Sequence, residues 1–116
     1  MRSDRERLYD IFEAIEKIEQ YKSEHKLVFE SDELLQIWIV HYLQIIGEAA
    51  SRISHEMREQ YPEIPWGKII GTRHVLVHGY FDIDLDLVWA AVDVDLPVLK
   101  TQIRGILEAF NNQVDV

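Results

Sequence analysis

Leu35, Ile39, Tyr42, Ile46, Ala49 and Ile53 recur along this chain at steps of 4, 3, 4, 3 and 4. Steps of three and four place every member on one side of an α-helix. A seam of this length has the heptad form of helices that pack lengthwise. A strand needs alternation at every second residue. Only Val94 and Leu96, set among Asp93 and Asp95, show it, and Pro97 ends the pattern at once. Beside the seam runs a second apolar stripe, Leu34, Trp38 and Ile45. Two stripes on one helix predict more than one packing neighbour. Ala49 and Ala50 allow close approach, and Gly47, which costs about 1 kcal/mol relative to Ala inside a helix, points to a packing role.

The other segments repeat the helical period. Ser3 or Asp4 is a good N-cap, and Leu8, Ile11, Phe12, Ile15 and Ile18 form one stripe on a helix of about five turns. The polar stretch Lys22 to Lys26 interrupts it, followed by the apolar run Leu27-Val28-Phe29, and Ser31 opens the seam helix. Two prolines three apart make Tyr61-Pro62-Glu63-Ile64-Pro65 a loop. A third helix is expected from Trp66 to His78, stopped at Gly79, with a turn over Tyr80 to Ile83. Asp84 can cap a fourth helix carrying Leu85, Val88, Trp89 and Val92. Asp95 can cap a fifth, with Pro97 in its first turn and Leu99, Ile103, Ile106, Leu107 and Phe110 on its core face. The tail from Asn111 is expected to fray. The reading is one all-α domain over residues 1–116, an up-and-down bundle of four to five helices.

Composition narrows the function. A hydrophobic share of 47% with 28% charged residues excludes disorder. The absence of cysteine excludes disulfides, thiol nucleophiles and thiolate metal sites. Twelve Lys and Arg against 21 Asp and Glu give a net charge of −9, which argues against non-specific coating of nucleic acid. A nucleic-acid role needs a local positive site, or two chains pooling one. No apolar run reaches the roughly 18 residues of a membrane helix, and the first residues lack an apolar signal core, so a cytoplasmic, membrane-free location is expected.

The third helix carries the chemistry. Trp66, Ile69, Ile70 and Val77 lie at offsets 0, 3, 4 and 11, and Arg73 falls at offset 7, inside that stripe. A guanidinium there either pairs with a carboxylate such as Glu48, snorkels to water, or edges a wet cleft. His74 and His78 are four apart and could hold zinc, but the metalloprotease version needs Glu after the first His, where Val75 stands. His25, His41 and His55 show no ligand-like spacing, so no metal is expected. The third option is acid–base work: an imidazole moves protons near neutral pH, and an Arg fork holds phosphate. The acidic residues Asp82, Asp84, Asp86, Asp93 and Asp95 read as caps and a solvated face, with contact to a basic partner surface as the other reading.

Arg73, four residues, His78, one residue, Tyr80 resembles the signature of the HEPN superfamily, specifically the HepT-like toxins of prokaryotic toxin–antitoxin pairs. The flanks agree: Gln44-Ile45-Ile46-Gly47-Glu48-Ala49-Ala50 before it, Pro65-Trp66 through Arg73 around it, and Asp84 to Trp89 with Asp95-Leu96-Pro97 after it. The resemblance covers essentially the whole chain. It implies a HEPN-like helical bundle that dimerises around a shared cleft, and a metal-independent endoribonuclease acting on cellular RNA, tRNA or mRNA. It implies Arg73 and His78 as the catalytic pair; beside them, the residues themselves offer His74 and Glu48 as candidate supporting groups. It implies the toxin of a type VII pair, neutralised when a cognate MntA-like nucleotidyltransferase antitoxin attaches AMP to Tyr80. ATP is then the partner's AMP donor, and this chain needs no cofactor. The alternative is a non-catalytic HEPN-like bundle that binds a nucleotide or a nucleotidyltransferase partner.

Overall fold

The computed structural model describes residues 2–22, 25–77 and 84–114, with the backbone alone over 73–77 and 113–114. Among these residues every regular element is helical. None of the helices is long and apolar enough to cross a membrane. The molecule measures 50 × 26 × 25 Å.

Helix α1 (Asp4–Tyr21) starts as its sequence dictates. The Glu6 amide donates to Ser3 Oγ at 3.2 Å, and the Ser3 amide donates to Glu6 Oε1 at 3.5 Å, closing a capping box. Leu8, Ile11, Ala14, Ile15 and Ile18 are buried on its inner face. A short helix α2 (Lys26–Ser31) follows, where sequence periodicity shows only an apolar run. Six residues are too few for a repeat to register, and its packing is decided by Phe29, which is fully buried and lies 5.6 Å from the Trp89 ring.

Helix α3 (Glu33–Ser51) begins one residue later than expected, because Asp32 rather than Ser31 caps it. Asp32 Oδ1 accepts from the Leu35 amide at 3.0 Å, while Ser31 Oγ donates back to the Val28 carbonyl. Both α1 and α5 pack along α3. Ile39, Ile46 and Ala49 of the heptad seam are buried, and so are Val40, Leu43, Gly47 and Ala50. The Trp38 indole donates to the Lys17 carbonyl at 3.2 Å, and its ring meets Tyr21 and Tyr42 at 5.1 and 4.9 Å, joining α3 to α1. Leu34 departs from the expected second stripe: it is 81% exposed, because α1 covers Trp38 and Ile45 but not the first turn of α3.

Helix α4 (His55–Gln60) is pinned twice. Ser54, its cap, also donates from its amide and hydroxyl to the Asp4 carboxylate at 2.9 and 2.6 Å. Arg58 donates to the Ala50 and Ser51 carbonyls, covering the open C-terminal end of α3. After the loop Tyr61–Pro65, α5 (Trp66–Val77) packs on α3, and α6 (Leu85–Ala90) is capped by Asp84, as its sequence predicts.

Beyond α6 the chain does not break. Ala91–Asp95 is a π-helical turn leading directly into α7 (Leu96–Val114). Asp95 therefore caps no separate helix. Pro97 has no N–H to give and its ring crowds the carbonyl four residues back. A π-turn immediately upstream, in which the Leu96 amide reaches the Ala91 carbonyl, lets the helix pass the proline unbroken. The helix also holds together through Val114, past the point where fraying is expected. Leu99, Ile103, Ile106 and Leu107 of α7 complete one core with α1, α3 and α6. The expected stop at Gly79 and turn over Tyr80–Ile83 lie outside the described residues.

Phe29→Ala should cost about 3–5 kcal/mol in urea unfolding, since it empties a fully buried ring site. Val98→Ala, on the exposed side of α7, should change stability by roughly 0.5 kcal/mol or less.

Candidate functional site

Helix α5 is the element that carries the motif, and its start is fixed tightly. Pro65 supplies a restricted φ just before the helix. Trp66 is buried, and its indole donates to the Tyr61 carbonyl at 3.1 Å. Ile69 and Ile70 pack against the core one turn on. The backbone stays helical through Val77. Position 73 is therefore seven residues, two turns, after Trp66, on the stripe that Ile69 and Ile70 share. The structure places Arg73 and His74 on this helix by backbone, and their side chains lie outside the described residues. His78 and Tyr80 lie outside them as well.

The far side of the motif segment is anchored too. Asp84 Oδ1 accepts from the Leu87 amide at 3.1 Å, and Lys26 Nζ of α2 meets Asp86 at 2.6 Å. The hydrogen bond to Asp86 holds the Lys26 ammonium above the ordinary lysine range, against the opposing effect of desolvation, with added attraction from Asp86 and Glu30. So α5 is held by α3, and α6 by α2.

Two depressions flank α3. A cleft of about 220 Å³ lies between α3, α5, the π-turn and α7, with Leu43, Ile46, Ile69 and Leu99 in its walls. Thr72, the residue before Arg73, reaches this cleft, and its hydroxyl donates to the Lys68 carbonyl at 2.9 Å. The second depression, about 380 Å³, is a groove between α1 and α3 lined by Arg7, Asp10, His41, Gln44, Ile45 and Glu48. Glu48, named above as a supporting residue, thus faces a groove and accepts from Arg52 Nε at 2.8 Å. Among the described residues no three His, Asp or Glu side chains gather as metal ligands.

Sequence reasoning missed Arg7, His41 and Gln44 as groove residues. The signal was present: Leu34, Ile37, His41, Gln44 and Glu48 step 3, 4, 3 and 4, a second heptad row on α3. Its mixed polarity hid it from a search for apolar stripes.

A family model described as Ribonuclease HepT-like matches residues 11–106. The chain is 39% identical to the probable ribonuclease HepT of Thermococcus cleftensis, covering 85% of this chain and 91% of the relative. It is 37% identical to a candidate RNase of Methanocaldococcus jannaschii, over 84% of this chain and 90% of that one. It is also 38% identical to a protein of that organism named as a gamma-glutamylcyclotransferase and candidate RNase, over 94% of this chain but 51% of the relative. No solved structure matches the chain.

Asp86→Asn should lower the Lys26 ammonium toward the ordinary lysine range, with Glu30 still acting on it, read by NMR titration of the Lys26 side chain. The sign follows from linkage: a pKa raised by folding contributes stability below the unfolded lysine value and loses it as pH rises through the folded one. The wild type should therefore lose a larger contribution than Asp86→Asn in the alkaline range, above about pH 10.4.

Proposed function

The chain belongs to the HepT-like ribonuclease family, and from that premise we propose that it is a metal-independent endoribonuclease in which Arg73 and His78 act on the phosphodiester of cellular RNA. The observation that carries this reading is the placement of the motif. Arg73 stands on α5, which packs along α3, two turns after the buried Trp66, and His78 and Tyr80 follow that helix directly in sequence.

The chemistry is internal transesterification. The 2′-oxygen attacks phosphorus and the bond to the 5′-oxygen breaks; His78 either takes the 2′-hydroxyl proton, with water protonating the leaving 5′-oxygen, or gives its own proton to the 5′-oxygen, with water taking the one from the 2′-hydroxyl. Arg73 holds the non-bridging oxygens and the extra negative charge of the transition state. The products are a 2′,3′-cyclic phosphate and a 5′-hydroxyl. His74, on α5, and Glu48, on α3 in the wall of the α1–α3 groove, are the supporting residues in this reading.

Two copies of the chain share the cleft in this reading. Support comes from the outward row of α3, where Leu34 is 81% and Ile37 45% exposed beside His41, Gln44 and Glu48. An apolar start and a polar end on one row suit a dimer seam that opens into a substrate cleft. The same reading makes the chain the cytoplasmic toxin of a type VII pair. A cognate MntA-like nucleotidyltransferase antitoxin transfers AMP from ATP to the Tyr80 hydroxyl and releases pyrophosphate. The adduct's phosphate then occupies Arg73 and repels the substrate's own.

His78→Ala and Arg73→Ala should each lower RNA cleavage by about 10²–10⁴-fold without lowering the melting temperature, and chelator should leave the wild type active. Wild-type cleavage by either variant contradicts the assignment. Incubation with the antitoxin and ATP should add an AMP-sized mass to the wild type and none to Tyr80→Phe. A mass gain retained in Tyr80→Phe contradicts the modification site.

A further inference from the structure

Every arginine with a described side chain is engaged, except one. Arg2 meets Asp10, Arg5 donates to Asn111, Arg52 meets Glu48, Arg58 donates to the end of α3, and Arg104 lies over the Phe12 ring. Arg7 is half-buried, its Nε is buried without a hydrogen-bond partner, and among the described residues no ion pair engages it. It lines the groove of about 380 Å³ between α1 and α3. A guanidinium partly removed from water without an anion is costly, so the groove is built for one.

The groove also contains carboxylates, which would repel an anion if left bare. Each is held by another arginine: Arg2 Nε donates to Asp10 Oδ2 at 2.9 Å, and Arg52 Nε to Glu48 Oε1 at 2.8 Å. Arg7 is the cation of this lining that no carboxylate among the described residues engages. In a chain of net charge −9 this is the local positive site that binding a polyanion requires. His41, exposed on the opposite wall, adds an imidazole N–H donor. We propose that the α1–α3 groove is a phosphate subsite, in which Arg7 grips a backbone phosphate of single-stranded RNA beside His41. This rests on the ribonuclease reading and adds to it a residue outside the motif. Arg7 is a positioning residue that seats the strand on α3, the helix against which the motif helix packs.

The test uses the full chain and a fluorescein-labelled single-stranded RNA. Arg7→Gln should weaken binding about tenfold or more and flatten the slope of log K against log salt by about 0.7. In cleavage assays the loss should fall on KM rather than kcat. Arg7→Lys should keep the salt slope but recover only part of the affinity, since it keeps the charge and loses the fork. Inorganic pyrophosphate, followed by NMR, should shift the amide resonances of Arg7 and His41 in the wild type and not in Arg7→Gln. Wild-type RNA affinity and salt slope in Arg7→Gln overturn the subsite and leave the ribonuclease reading standing. So does a fall in oligomeric state of Arg7→Gln by light scattering, which makes the groove an interface between chains. Pyrophosphate binding without any cleavage of RNA by the wild type overturns the ribonuclease reading and, with it, the RNA assignment of the groove.

Discussion

The fold depends on burying α3. This helix is apolar over much of its circumference, and no single neighbour can cover it. Its seam residues Ile39, Ile46 and Ala49 and a second group, Val40, Leu43, Gly47 and Ala50, are all buried. Burial of apolar area is the main favourable term in folding, at about 25 cal/mol per Å². A helix with several apolar rows therefore gathers α1 and α5 around itself, and the rest of the chain is arranged to keep them there. The row that stays outside, from Leu34 to Glu48, begins apolar and ends polar. It is the row on which the proposed dimer seam rests.

The same arrangement positions the helix that carries the start of the motif. Holding α5 along α3 fixes the backbone of Arg73 and His74. The Lys26–Asp86 pair and the Phe29–Trp89 contact hold α6, on the other side of residues 78–83. The short helix α2 is thus a brace for the chain leaving the motif. Charge follows a parallel logic. The chain is acidic overall, yet its arginines are disposed so that the carboxylates in the α1–α3 groove are already paired. With the proposed phosphate subsite in that groove, an acidic chain would repel polyanions over most of its surface and admit one at a single seat.

The fold class was legible because heptad and 3.6-residue periodicity survive in α1, α3 and α7, and because Ser3 and Asp84 are strong local caps. Helix α2 was not legible: six residues give no period, and Phe29 is recruited by Trp89 from sixty residues away in sequence. Asp95 misled because a capping residue before a proline looks like a helix start. A π-turn resolved the proline's missing donor without a break. Ser31 and Asp32 are both good caps, and the choice between them rested on where the Ser31 hydroxyl could bond. The motif over Arg73, His78 and Tyr80 is a spacing in the sequence, and of it only the backbone at Arg73 lies among the described residues. Arg7 was not legible, since a lone arginine on an amphipathic helix carries no pattern. Its meaning comes from the partners it lacks, and only packing reveals those.

The central claim is that a ribose 2′-hydroxyl is the nucleophile and that the motif at the end of α5 sets it to work. The most direct measurement is product analysis by ³¹P NMR and mass spectrometry on a cleaved RNA oligonucleotide, paired with one carrying a single 2′-deoxy residue 5′ to the scissile phosphate. The account predicts a 2′,3′-cyclic phosphate from the first and no cut at that position in the second. Cleavage at the deoxy position, or a linear phosphate formed without a cyclic precursor, would contradict it.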